Sequence, residues 1–171
     1  MTLRRAFSSL ACALFLAGCS GGGSDVTAMY FKMFYGGGYD MSPFNAAWTA
    51  ARQDPALGVA YTFPLLSVGL EEGVTVRLAA GPYTGLRTSD DVVLAEQYDL
   101  AETKVGGDGE ATFAPLAVKD DGPWGMNVVP GRLLCGSTQL VARAYRQTDG
   151  PPAASQLVAA TSFVAVTPAC P

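Results

Sequence analysis

Val74-Thr75-Val76-Arg77-Leu78 sets apolar and polar side chains in alternation, which turns one face of an extended strand toward a core and the other toward water. Residues 92–100 repeat the pattern through Val92, Leu94, Tyr98 and Leu100, with Glu96 as the exception. In residues 140–145, Leu140, Ala142 and Ala144 alternate with Val141, Arg143 and Tyr145. Small and β-branched side chains dominate residues 157–166, as suits a last strand. Residues 26–35, 59–66, 111–118 and 126–129 are weaker strand candidates. Turn signals separate these runs: Glu72-Gly73, Gly81-Pro82, Gly106-Gly107-Asp108-Gly109, Asp121-Gly122-Pro123 and Asp149-Gly150-Pro151-Pro152. Many short strands so spaced predict an all-β sandwich rather than βαβ units.

One segment breaks the pattern. Ser42-Pro43 offers an N-cap and a first-turn proline, and the alanine-rich stretch that follows carries Trp48 before Asp54-Pro55 stops it. A short helix is expected there, the alternative being a strand around Trp48. Over residues 26–171 the strand number and spacing resemble an immunoglobulin-like or fibronectin-like sandwich. The Cys…Trp…Cys spacing of antibody domains is missing, because Cys135 and Cys170 both fall in the last third.

The N-terminus carries a second resemblance. Arg4 and Arg5 precede a mostly apolar run over residues 6–17. As a helix that run would span ~18 Å, short of the ~30 Å hydrocarbon core, so a signal-peptide h-region fits better than a membrane span. It ends Leu16-Ala17-Gly18-Cys19, which resembles the lipobox of bacterial lipoproteins. The resemblance implies cleavage after residue 18 and a diacylglyceryl thioether on Cys19, whose new amine is then acylated with a chain of the palmitate kind. Several chains anchor stably where one holds marginally, at ~0.8 kcal/mol per buried methylene. Residues 19–25 form the lipidated cysteine and a tether, Ser20-Gly21-Gly22-Gly23-Ser24-Asp25, whose reach is on the order of 13 Å. In Gram-negative members of that family, serine after the cysteine implies sorting to the outer membrane, which is the expectation from Ser20. The expected partner of Cys19 is thus the lipid bilayer.

Processing at that site changes the charge. The whole chain of 171 residues carries a net charge of −4, with 11 basic and 15 acidic side chains; loss of Arg4 and Arg5 makes it −6. An acidic chain without a basic run argues against nucleic acid. Cys12 leaves with the signal and Cys19 takes lipid, so Cys135 and Cys170 remain. In an oxidising compartment they are expected to pair, closing a loop of about 35 residues worth roughly 4 kcal/mol; the alternative is two buried thiols. Two thiols without histidine make no zinc site.

The chain contains no histidine, which excludes a Ser-His-Asp triad, a Cys-His pair and imidazole-ligated metal. Gly18-Cys19-Ser20-Gly21-Gly22 matches a nucleophile elbow only by straddling the cleavage site. No Ser-x-x-Lys precedes Lys32, Lys104 or Lys119. The carboxylate clusters Asp90-Asp91, Asp108/Glu110 and Asp120-Asp121 fall at expected turns, where aspartate serves the backbone; calcium binding or acid–base catalysis are the functional alternatives. Tyr83 and Trp124 each follow Gly-Pro, which makes them candidate ligand-binding rings at loop tips, with capping of the open core as the bland alternative. The near-continuous apolar run of residues 29–35 reads as a strand buried on both sides or, given its nearness to the anchor, as a surface for membrane or partner. No metal or cofactor is expected. The resulting expectation is a membrane-anchored cell-envelope lipoprotein acting as a non-enzymatic binding or structural module toward an envelope protein or glycan. The alternative is a carbohydrate-binding protein or a carboxylate-dependent glycan hydrolase.

Overall fold

A computed structural model describes residues 27–33, 40–85, 92–122, 124–146 and 156–167. The strands in chain order are β1 (Ala28–Phe31), β2 (Phe63–Val68), β3 (Thr75–Pro82), β4 (Tyr98–Lys104), β5 (Glu110–Phe113), β6 (Ala117–Lys119), β7 (Val128–Pro130), β8 (Ser137–Tyr145) and β9 (Leu157–Val166), with one helix, α1 (Ser42–Gln53). Two antiparallel sheets, β1-β2-β5 and β4-β3-β8-β9, share one core, and β6 and β7 form a small parallel pair. Phe31, Leu65 and Phe113 from the first sheet meet Leu78, Leu100 and Leu140 from the second in that core. The mostly β architecture is consistent with an all-β sandwich.

The helix forms where the alanines predicted it, but its cap differs. Ser42 is already helical; Met41 is the capping residue, and the Asp40 carboxylate accepts the Ser42 backbone N–H at 2.8 Å. Hydrogen bonds from the Ser42 side chain and then its backbone N–H hold the Asp40 carboxyl below its ordinary range. Phe44, Trp48 and Ala51 lie on the buried face, and the Phe44 ring packs on Trp48, Tyr61, Phe63 and Phe163. The helix therefore closes one end of the core.

β9 has the bounds that its composition predicts. Other elements are shifted, each for a local reason. The expected strand over residues 92–100 becomes β4, which starts only at Tyr98. The residues before it lie over the outer face of the sheet: Val92 is buried, and the Arg143 guanidinium from β8 donates to the Val92 carbonyl at 2.8 Å and to Gln97 Oε1 at 3.2 Å. Apart from a single bridge at Val92, their alternation thus reflects packing across a sheet. For the same reason β8 is buried on both faces from Thr138 to Ala144.

Gly81-Pro82 is not a turn but the end of β3, paired with Gln139 and Thr138 of β8. Glycine is required there because a Cβ would sit 2.0 Å from the Glu96 carbonyl oxygen. Residues 111–118 form two short strands in different sheets, β5 and β6, because Pro115 between them has no N–H for a ladder. The run beginning at Met29 is buried on one face, not two: Met29, Phe31 and Met33 point inward while Tyr30 and Lys32 are exposed. β1 is an edge strand of its sheet, and among the described residues Tyr30, Lys32 and Thr112 on the outer face are exposed.

The strand ends define two poles. Register aligns Ala28 with Val68, Leu66 with Glu110, and Thr75 with both Lys104 and Tyr145. One pole therefore carries the start of β1 and the connections 69–74 and 105–109. The other carries α1, the ends of β3 and β9, and the starts of β4 and β8.

Candidate functional site

At the pole closed by α1, on its solvent side, four side chains from separate parts of the chain meet. Tyr98 opens β4, Glu96 precedes it, Trp124 sits on the connection from β6 to β7, and Arg132 belongs to a four-residue 3-10 turn, Gly131–Leu134. The Tyr98 and Trp124 rings meet edge to face with centroids 5.3 Å apart. The Arg132 guanidinium carbon lies 5.1 Å from the Tyr98 centroid and 5.5 Å from that of Trp124, within cation–π range of both. Arg132 Nη2 also pairs with Glu96 Oε1 at 2.6 Å, and the Tyr98 hydroxyl donates to that same oxygen. The group is preorganised yet wet: both members of the ion pair are about half exposed, and Trp124 is 38% exposed.

Local sequence explains how the ring is held. Asn127 adopts a positive φ of 62°, a conformation asparagine tolerates better than most residues. From there its N–H reaches the Leu100 carbonyl of β4, while its carbonyl accepts the Ala117 N–H at 2.8 Å. The loop between is thereby closed on β4. Within it Trp124 Nε1 donates to the Lys119 carbonyl at 3.4 Å, and a Cβ on Gly122 would touch the ring at 3.6 Å.

The other candidate ring, Tyr83, is 51% exposed just past β3, where its N–H donates to the Ser137 carbonyl. It shares the pole with Trp124 but is not part of its cluster. Capping of the core falls instead to Trp48, which is 1% exposed. Its Nε1 has no hydrogen-bond partner among the described residues.

The acidic turns are used locally. Asp108 Oδ1 accepts the Glu110 backbone N–H at 2.9 Å, and Glu110 pairs with Lys32 at 2.6 Å. Asp120 lies close against Gly131; Asp90 and Asp91 fall outside the described residues. Among the described residues no three acidic or cysteine side chains gather as a metal site, and no helix is long and apolar enough to cross a membrane.

Cys19 and Cys170 also lie outside the described residues. Cys135 follows the Gly131–Leu134 turn. Thr167, just beyond β9, donates its N–H to the Gly136 carbonyl at 2.9 Å and its hydroxyl to the Leu134 carbonyl at 2.8 Å. These bonds hold the chain three residues before Cys170 against the residues flanking Cys135.

Sequence reasoning names Trp124 and Tyr83 but misses Tyr98, Arg132 and Glu96 as site residues. The available signal is Glu96 itself, a charge where the alternation calls for an apolar side chain. No protein-family model, curated protein or solved structure matches the chain.

Proposed function

We propose that the chain is a cell-envelope lipoprotein: residues 1–18 a signal peptide, Cys19 the acylated anchor in the bilayer, residues 19–25 the tether, and residues 26–171 one non-enzymatic binding domain. Sorting to the outer membrane follows from Ser20 in a Gram-negative envelope. The observation that carries the binding role is the preorganised, exposed Tyr98–Trp124–Arg132 group. Tyrosine, tryptophan and arginine are the residue types that dominate binding hot spots, and rings already held by neighbours lose little entropy on contact. Glu96 neutralises Arg132, which favours a protein surface over a charged small ligand. Strand order supports the immunoglobulin-like reading: the first, second and fifth strands share one sheet, and the third, fourth and last two share the other, with chain crossings between them. The close approach of Thr167 to residues 134–136 supports a Cys135–Cys170 bridge.

A photo-crosslinking amino acid at Met126, which is 48% exposed beside the cluster, tests the binding role in growing cells. It is expected to give discrete adducts that Trp124→Ala with Arg132→Ala suppresses; adducts indifferent to both changes would remove this surface from the reading. A glycan array with the processed chain is expected to be blank, and robust sugar binding would replace the protein partner with a glycan. The anchor has its own check. Cys19→Ala is expected to abolish incorporation of radioactive fatty acid and to leave the chain unprocessed or released.

A further inference from the structure

The poles of the sandwich differ in what they expose. Leu57, Tyr83, Val93, Trp124, Met126 and Val166 are exposed apolar side chains, and all lie on the half closed by α1. Val166 ends β9 opposite Ser137, the Val93 carbonyl accepts from Thr84 just past β3, and Leu57 precedes the Val59–Leu116 bridge. The opposite half exposes Val68 at its end and Tyr30 on the side of β1, among Glu71, Glu72, Lys104, Asp108 and Arg146. Apolar surface alone would lay the first pole on a bilayer, since tryptophan, tyrosine and methionine gain most from the interface.

Chain connectivity opposes this. β1 begins at Ala28, at the polar pole, nine residue steps after Cys19. Read as a coil, nine residues reach ~17 Å, and ~30 Å only when fully drawn out. The nine residues of β8 set the pole-to-pole length at ~30 Å. Inverting the domain onto its apolar pole would therefore need the tether at its limit, with all its conformational freedom spent.

Resting on the anchoring reading above, we infer that the domain stands on the bilayer with its polar pole, the 69–74 and 105–109 connections, toward the headgroups. The aromatic pole then faces the aqueous space. The lipid surface is the partner of the polar pole, whose described residues meet it mainly with mixed charges around Val68. The tether sets orientation as well as distance.

The test uses the acylated full chain bound to vesicles of phosphatidylethanolamine and phosphatidylglycerol that carry headgroup-nitroxide lipid. A fluorophore is placed on Val68→Cys or on Met126→Cys, with Glu72→Cys and Tyr83→Cys as a second pair in case either variant folds poorly. Quenching is expected to be several-fold stronger at positions 68 and 72 than at 126 and 83. Equal or inverted quenching in a chain that floats with the vesicles overturns the orientation alone. A chain that stays in the aqueous fraction overturns the anchoring and the orientation with it.

Discussion

The two tryptophans sit at the same pole of the sandwich and do opposite things. Trp48 is 1% exposed, wedged by α1 against Phe44 over the core, whereas Trp124 is 38% exposed and held by Tyr98 and Arg132. One closes the molecule and the other is presented by it. The Gly131–Leu134 turn serves both: Leu133 and Leu134 are buried in the core while Arg132 reaches the outer cluster. Stability and presentation are therefore built on one short segment but on different faces of it. Mutations that separate the faces separate the roles.

The largest effect falls on the buried ring. Trp48→Ala should destabilise by about 3–5 kcal/mol, the range for removing a large aromatic from a core that cannot collapse around the gap. Trp48→Phe should cost less than half as much, because the unpartnered indole N–H leaves with no hydrogen bond lost. Urea unfolding of both variants gives the comparison, and equal costs would mean that the N–H is satisfied in solution.

The bridge comes next. Cys170→Ser should destabilise by roughly 2–4 kcal/mol, and because Cys135 adjoins the shared turn it should loosen both tryptophan regions. Mass spectrometry after thiol labelling of the unreduced, denatured chain decides whether the bond exists; two labelled cysteines would remove it. Trp124→Ala is smaller, about 1 kcal/mol for one edge-to-face contact and one exposed cation–π pair. Its main consequence should be lost crosslinking from Met126 with unfolding almost unchanged. A Trp124→Ala cost as large as that of Trp48→Ala would erase the distinction between the regions.

These differences also show what a sequence can reveal here. Alanines, a first-turn proline and the Asp54-Pro55 stop are local signals, so the helix is legible; uncharged β-branched residues between turns make β9 legible in the same way. The outer cluster is not, because its members at 96, 98, 124 and 132 meet only through the β4 register and the loop closed by Asn127. Gly81-Pro82 misleads because its glycine answers to the Glu96 backbone fifteen positions away, a contact no local pattern encodes. The apolar residues before β4 mislead for the related reason that an apolar face can be covered by a segment lying across a sheet.

The smallest effect links the helix entry to the core it closes. Asp40 is exposed, and its carboxyl is held below the ordinary range, first by the Ser42 side chain and then by the Ser42 backbone N–H. A depressed carboxyl stabilises the fold above its unfolded value and loses that contribution as pH falls through the folded one. Asp40→Asn should therefore flatten the acid side of the stability profile by slightly lowering stability at neutral pH, where the carboxylate contributes, and leaving acid stability, where it does not, nearly unchanged. Tyr61 moves the other way: burial, and secondarily the Asp40 charge, raise its hydroxyl above the ordinary value. A raised phenol stabilises below its unfolded value and loses that contribution as pH rises through the folded one. Neutralising Asp40 should thus ease Tyr61 ionisation slightly toward lower pH while burial keeps it above a free tyrosine. Carbon-13 tyrosine NMR across the alkaline range reads that shift directly. A Tyr61 titration unmoved by Asp40→Asn would show that the helix entry and the aromatic core beneath it are electrostatically separate.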